Sequence, residues 1–154
     1  MLFVVAILLA LLVALMRGGR FEQLGSLSFR FGPLILLGFL IQIFLFTPLL
    51  GPRLTDFQTA VVYNLSMLLL WGTLLANWRI PGVPLMATGV FLNWLVITLN
   101  GGFMPASAAA LEQAGLLEEV TANQGRHNNS ILLDASTHLP WLADVMAIPA
   151  AIPL

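Results

Sequence analysis

The stretch TAVVYNLSMLLLWGTLLANW, residues 59–78, contains no charged side chain over its whole length. A bilayer core about 30 Å thick takes about 20 helical residues to cross, so the run reads as a transmembrane helix. Trp71 and Trp78 lie toward its end and Arg79 follows at headgroup depth, as expected of an interfacial anchor. Gly72 and Ala76 stand one helical turn apart, a small-xxx-small pair that lets a second helix approach closely.

Working outward, Pro81-Gly82-Val83-Pro84 makes a turn too short to cross anything, and a second apolar run from Leu85 to Leu99 completes a helical hairpin. Upstream, the run from Pro33 to Leu50 begins with a proline in the first helical turn, where its missing N–H does no harm. It stops at Thr47-Pro48 and Gly51-Pro52. The first run, Leu2 to Met16, is short for a span but is extended by Met1 and the Gly18-Gly19 pair. A cleaved signal peptide is the rival reading. It lacks support because no positive region precedes the run, and Arg17-Gly18-Gly19-Arg20 stands where a small-residue cleavage site is needed. Ala6, Ala10 and Ala14 recur every fourth residue and offer a smooth packing stripe, to be weighed against the plain abundance of alanine.

Composition agrees: 59% of the 154 residues are hydrophobic and 8% charged, against about 25% charged in soluble domains, and the mean hydropathy is +0.95. The expected fold is an all-α membrane protein with about four transmembrane helices (2–16, 33–50, 59–78, 85–99). These form a bundle over 1–99, followed by an extramembrane, interfacial C-terminal segment over 100–154. A net charge of −1 without a basic run excludes nucleic acid as a partner. The absence of cysteine excludes disulfides, thiolate metal sites and thiol nucleophiles. All six basic residues are arginine, a bias read as genomic composition.

Arg17, Arg20, Arg30 and Arg79 fall in connections on one side, and Arg53 and Arg126 on the other. The positive-inside rule then puts the first set in the cytoplasm and both the N-terminus and the C-terminal segment outside. Within the four expected spans there is no Asp, Glu, Lys, Arg or His. Proton relays and ion-coupled transport depend on such groups at membrane depth, so a conventional secondary transporter is disfavoured. The polar residues there are Gln42, Asn64, Ser66, Asn77, Asn93 and Thr98. Two readings stay open for them: fastening between helices, or a grip on a lipid or quinone headgroup by amides that both donate and accept.

After Leu99 the chain turns polar, with Glu112, Glu118, Glu119, Asp134 and Asp144. Pro105 and Ser107 start a helix that continues from Ala108 to Val120 despite Gly115, and it is expected to lie at the interface. Residues 123–130 read as loop, and Trp141 to Met146 as a second interfacial turn before Pro149 and Pro153. The final Ala150-Ala151-Ile152-Pro153-Leu154 is apolar to its last residue. Either the gene product continues into a further helix, or this is the terminus tucked against the membrane.

The element Asn100-Gly101-Gly102-Phe103-Met104-Pro105-Ala106-Ser107 follows a span directly, and Leu139-Pro140-Trp141-Leu142-Ala143-Asp144 comes some thirty residues later. Together they resemble a bacterial multi-pass membrane family, the domain of unknown function numbered 5317, from the second span onward. The resemblance implies a bacterial inner (cytoplasmic) membrane protein and assigns no activity. Members carry a further apolar segment and a Gly-Asp pair after the second element, which this chain lacks. Physically, the NGG-x-MP element reads first as a sharp turn: Asn100 caps the helix, Gly101 and Gly102 adopt positive φ, and Pro105 restarts the chain. Its functional alternative is an anion or headgroup nest of glycine N–H groups.

His127 and His138 are the only imidazoles. Either is chemically suited to act as a base or as an axial ligand to haem or a chlorin, but neither has HxxxH or HExxH spacing, and no metal site is expected. His127 sits in a polar loop, whereas His138 lies beside Pro140 and Trp141 and near Asp134 and Asp144. A Ser136/His138/Asp134 arrangement lacks an oxyanion element, so an enzyme is the less favoured class. The favoured expectation is an accessory or structural subunit docking on other membrane-protein subunits. The alternative is a binder or enzyme acting on a quinone, pigment or isoprenoid lipid through Asn93, Asn100, Gly101, Gly102 and His138; the residues identify no cofactor.

Overall fold

The computed structural model describes residues 2–20, 28–47, 50, 53–123 and 125–145. The side chains of Ala6 and His127, the stops at Pro48 and at Gly51-Pro52, and the run from Met146 through Ala150 to Leu154 lie outside the described residues. The described residues are mostly helical and form four apolar helices, two short helices and a three-stranded sheet.

Helix α1 (Leu2–Met16) ends where expected, but Gly18 and Gly19 do not extend it. Gly19 N–H folds back to Ala14 O at 2.9 Å and closes the helix. Helix α2 (Gly32–Leu45) starts one residue before Pro33 and ends five residues short of the expected Leu50. Pro48 disfavours helical backbone at Thr47, and the Thr47 hydroxyl donates to Phe44 O at 2.8 Å. Helix α3 (Asp56–Ala76) starts three residues before the expected Thr59, because Thr55 and Gln58 form a reciprocal capping box that satisfies two end N–H groups. Of the described helices, α3 is the one long and apolar enough to cross a membrane by length and composition. Helix α4 (Val83–Leu99) begins at the turn, with Pro84 in its first positions, and runs to the expected end.

α2 packs on α3 and α3 on α4. Leu45, Tyr63, Met67, Val96 and Ile97 form a shared core, which Met104 enters from the C-terminal segment. A second cluster, Leu74, Val83 and Ala87, fills the closed end of the hairpin.

The C-terminal segment is not helix alone. The single helix expected from Ala108 to Val120 is broken into α5 (Ala108–Gln113) and α6 (Leu117–Ala122). Gly115 takes φ +71°, and Leu116 N–H bonds Leu111 O at 2.9 Å, a six-residue closure that L side chains resist. The stretch 123–130, expected to be loop, supplies β2 (Arg126–His127) and the first residue of β3 (Ser130–Leu132), antiparallel about an Asn128 turn. β1 (Met104–Ala106) joins β3 in parallel, with Pro105 opposite Ile131. Ala106, Leu111 and Val120 bury a small core of their own against Leu132. The expected turn at Trp141 is a 3-10 helix, Pro140–Leu142, with Trp141 exposed.

Candidate functional site

Polar side chains gather where the N-terminal end of α3, the C-terminal end of α4 and the sheet meet. Asn100 is the C-cap of α4. Its Nδ2 donates to Val96 O at 2.7 Å and to His138 O at 2.9 Å, and its Oδ1 accepts from His138 N–H at 2.9 Å. One amide therefore extends the helix and mimics a strand partner for the chain at His138. Gly101 and Gly102 follow at φ +72° and +94°. Gly102 N–H bonds Ile97 O at 2.8 Å, so it is engaged in the helix cap. A Cβ on Gly102 would lie 2.2 Å from the Ala60 Cβ. The turn therefore presses its backbone onto α3, and Gly102 is buried where Gly101 is exposed.

The two sequence elements thirty residues apart meet here. Asp144 N–H donates to Pro105 O at 2.8 Å, and Ser107 N–H donates to Asp144 O at 3.0 Å, a parallel bridge on the free edge of β1. The Tyr63 hydroxyl of α3 lies in electrostatic reach of the Asn129 side chain and the Asp144 carboxylate. Partial desolvation raises the Asp144 carboxyl above its ordinary value. Arg126 pairs with Asp56 in the first turn of α3 and lies 4.9 Å above the Phe103 ring. Sequence reading passed over Tyr63, Asn129 and the Asp56–Arg126 pair, because nothing local links residues on separate elements.

Among the described residues no hydrogen bond joins the His138 imidazole to Ser136 or Asp134. Ser136 Oγ and Ser136 N–H both donate to Asp134 Oδ1, at 2.6 and 2.8 Å, closing a four-residue turn with Thr137. These bonds, the Ser136 hydroxyl first, hold the Asp134 carboxyl below its ordinary value. The contacts that fix His138 are those of its backbone with Asn100, and the residue is exposed. Among the described residues no three His, Asp or Glu side chains are grouped to hold a metal ion.

Within the helices, the amides fasten neighbours. Gln42 Nε2 donates to Ser66 Oγ at 3.1 Å and approaches Met67 Sδ, joining α2 to α3. Asn64 Oδ1 accepts from Thr98, joining α3 to α4. Asn77, the C-cap of α3, repeats the Asn100 device at the other end of the hairpin. Its Oδ1 accepts from Arg30 N–H at 2.7 Å, and its Nδ2 donates to Arg30 O and Thr73 O at 2.8 Å each. Asn93 is exposed and has no such bond among the described residues.

The close helix contact inside the chain uses Gly38, which sequence reading missed. A Cβ there would meet Leu70 Cδ2 at 2.7 Å. Gly72 is exposed with open space beside it, Ala76 is half-buried, and Ala10 and Ala14 are exposed. The indole Nε1 of Trp94 is buried without an acceptor, at the end of an aromatic row in which Phe91 stands 5.3 Å from Trp71 and 5.7 Å from Trp94.

A family model described as a family of unknown function (DUF5317) matches residues 26–154. The chain belongs to that family. No curated protein and no solved structure matches it.

Proposed function

Taking membership of the DUF5317 family as the starting point, we propose that the chain is a multi-pass integral membrane protein serving as an accessory, structural subunit of a larger membrane complex. The observation that carries this reading is the outward surface of the four apolar helices. Leu8 and Leu12 on α1, Leu36 and Ile43 on α2, Leu65 on α3 and Leu85 on α4 are all exposed. The only Asp, Glu, Lys, Arg or His on these helices is Asp56, at the first position of α3. Large apolar side chains exposed on every one of these helices mark a lipid or protein contact. α1, α2 and α4, at about 21–25 Å, are shorter than the hydrocarbon layer. Bilayer thinning accommodates the difference at fractions of a kcal/mol per Å.

The end-to-end contacts support the alternate sidedness read from arginine. Arg30 bonds Asn77 at one end of the hairpin, while Asp56 meets Arg126 and Asn100 meets His138 at the other. In this reading the protein sits in the bacterial inner membrane with the N-terminus and the C-terminal segment outside. That segment is locked to the helix ends by backbone bonds and offers structure rather than a catalytic constellation. Purification in mild detergent from native membranes tests the proposal: stoichiometric larger subunits are expected, and a chain recovered without them sinks it.

A second reading, a binder of a membrane-soluble quinone, pigment or isoprenoid lipid, is favoured by the acceptorless Trp94 indole N–H beside its aromatic row. A ligand carbonyl would supply the missing acceptor. Extraction of the same preparation for mass spectrometry tests it: a stoichiometric carbonyl-bearing lipid supports this reading, and bulk phospholipid alone removes it.

A further inference from the structure

We infer that α4 pairs with α4 of a second copy of this chain, Asn93 against Asn93, with Gly89 allowing the backbones to approach. This rests on the membrane reading above. Of the amides in α2, α3 and α4 and at their C-caps, Gln42, Gln58, Asn64, Asn77 and Asn100 each have a partner within the chain. Asn93 is the exception among the described residues: it is exposed, on the face of α4 that also presents Met86 and Gly89. It lies six residues, about 9 Å, from the end of α4, inside a hydrocarbon layer of about 30 Å. An amide there gains little from lipid, and an interhelical partner satisfies it.

The chemistry of the occupant follows from the amide itself. It carries both an acceptor and donors, so a two-fold contact lets each Oδ1 accept from the other Nδ2 with no second residue type required. The outward faces of these helices hold no other unpartnered amide to serve as a complement. Gly89, one turn before Asn93, is exposed, and a Cβ there would meet nothing within 4 Å. The space that a close backbone approach needs is therefore open on the same side of the helix.

The chain contains no cysteine, so a single introduced thiol reports proximity cleanly. Met86→Cys, on the Asn93 face of α4 and 57% exposed, is expected to give an oxidant-induced covalent dimer in reconstituted liposomes, while Leu65→Cys on the outer face of α3 does not. Adding Asn93→Leu to Met86→Cys is expected to weaken the association about three- to tenfold, and Asn93→Gln to retain it. The unmodified chain produced apart from its native membranes should have the mass of two chains by light scattering in mild detergent. A mass of one chain there, cross-linking at Leu65 in place of Met86, indifference to Asn93→Leu, or capture of a different protein at Met86 would each overturn the inference. Alkaline extraction of the same membranes separates the two failures: release of the chain refutes the membrane reading, whereas retention without cross-linking refutes only the pairing.

Discussion

The side-chain amide of Asn100 hydrogen-bonds both the N–H and the C=O of His138 at 2.9 Å, across 38 residues of sequence. It is the backbone of His138, not its imidazole, that α4 holds. Asn100→Ala removes these bonds and the one to Val96, and is expected to destabilise the fold by about 1–3 kcal/mol. The readouts are a lower thermal midpoint in detergent and faster amide exchange at 138. His138→Ala keeps the backbone and is expected to leave the midpoint unchanged; an equal loss would mean that the imidazole is structural.

Gly102→Ala meets two obstacles, a φ of +94° and a Cβ 2.2 Å from that of Ala60. Gly101→Ala meets only the φ. The first should cost about 2–4 kcal/mol and the second about 1–2 kcal/mol. Ala60→Gly in the Gly102→Ala background is expected to recover only part of the steric cost, since the Ala60 Cα also lies 2.8 Å from the new methyl, and urea titration of the three proteins would measure the differences.

The two intrahelical glycines should respond in opposite directions. At Gly38 the new methyl overlaps Leu70, so Gly38→Ala is expected to loosen α2 from α3 by about 1 kcal/mol or more. At Gly72 nothing lies within 4 Å, and Gly72→Ala should stabilise the isolated chain by up to about 1 kcal/mol through helix propensity. If Gly72→Ala is neutral in detergent but disrupts assembly in native membranes, a partner helix covers that face.

The turn at Asp134 should be acid-labile. The Ser136 hydroxyl and N–H stabilise the carboxylate form and lower its folded value below 3.8. The contribution is therefore present above the unfolded value and is lost as pH falls through the lower folded one. Amide exchange at Ser136 is expected to accelerate below about pH 4. Ser136→Ala should move that window upward, and an unchanged profile would refute the assignment.

The existence of the apolar helices was legible because uncharged runs of this length have few other solutions. Their ends were less so. The start of α3 was written in Thr55-Asp56-Phe57-Gln58, a capping box overlooked because attention fell on the apolar residues after it. The sheet was hidden for a physical reason: β1 is three residues long and contains Pro105, and β2 has only two residues, so no alternation has room to appear. Their pairing is set by distant partners, Asn129 for Met104 and Asp144 for Pro105. The NGG turn at Asn100 was readable from residue chemistry, but the partner of Asn100 was not, since backbone groups of a residue such as His138 leave no mark in sequence. Gly38 was missed because one glycine in an apolar run looks like any other.

The two asparagine caps also impose an order on synthesis. Asn77 finds Arg30 already made, so the first clamp closes as soon as α3 is complete. Asn100 leaves the ribosome 38 residues before His138, and until then its amide lacks its long-range partner. The helical hairpin therefore matures before its cover, and nascent chains stopped short of residue 138 should be the form most open to chaperones and proteases.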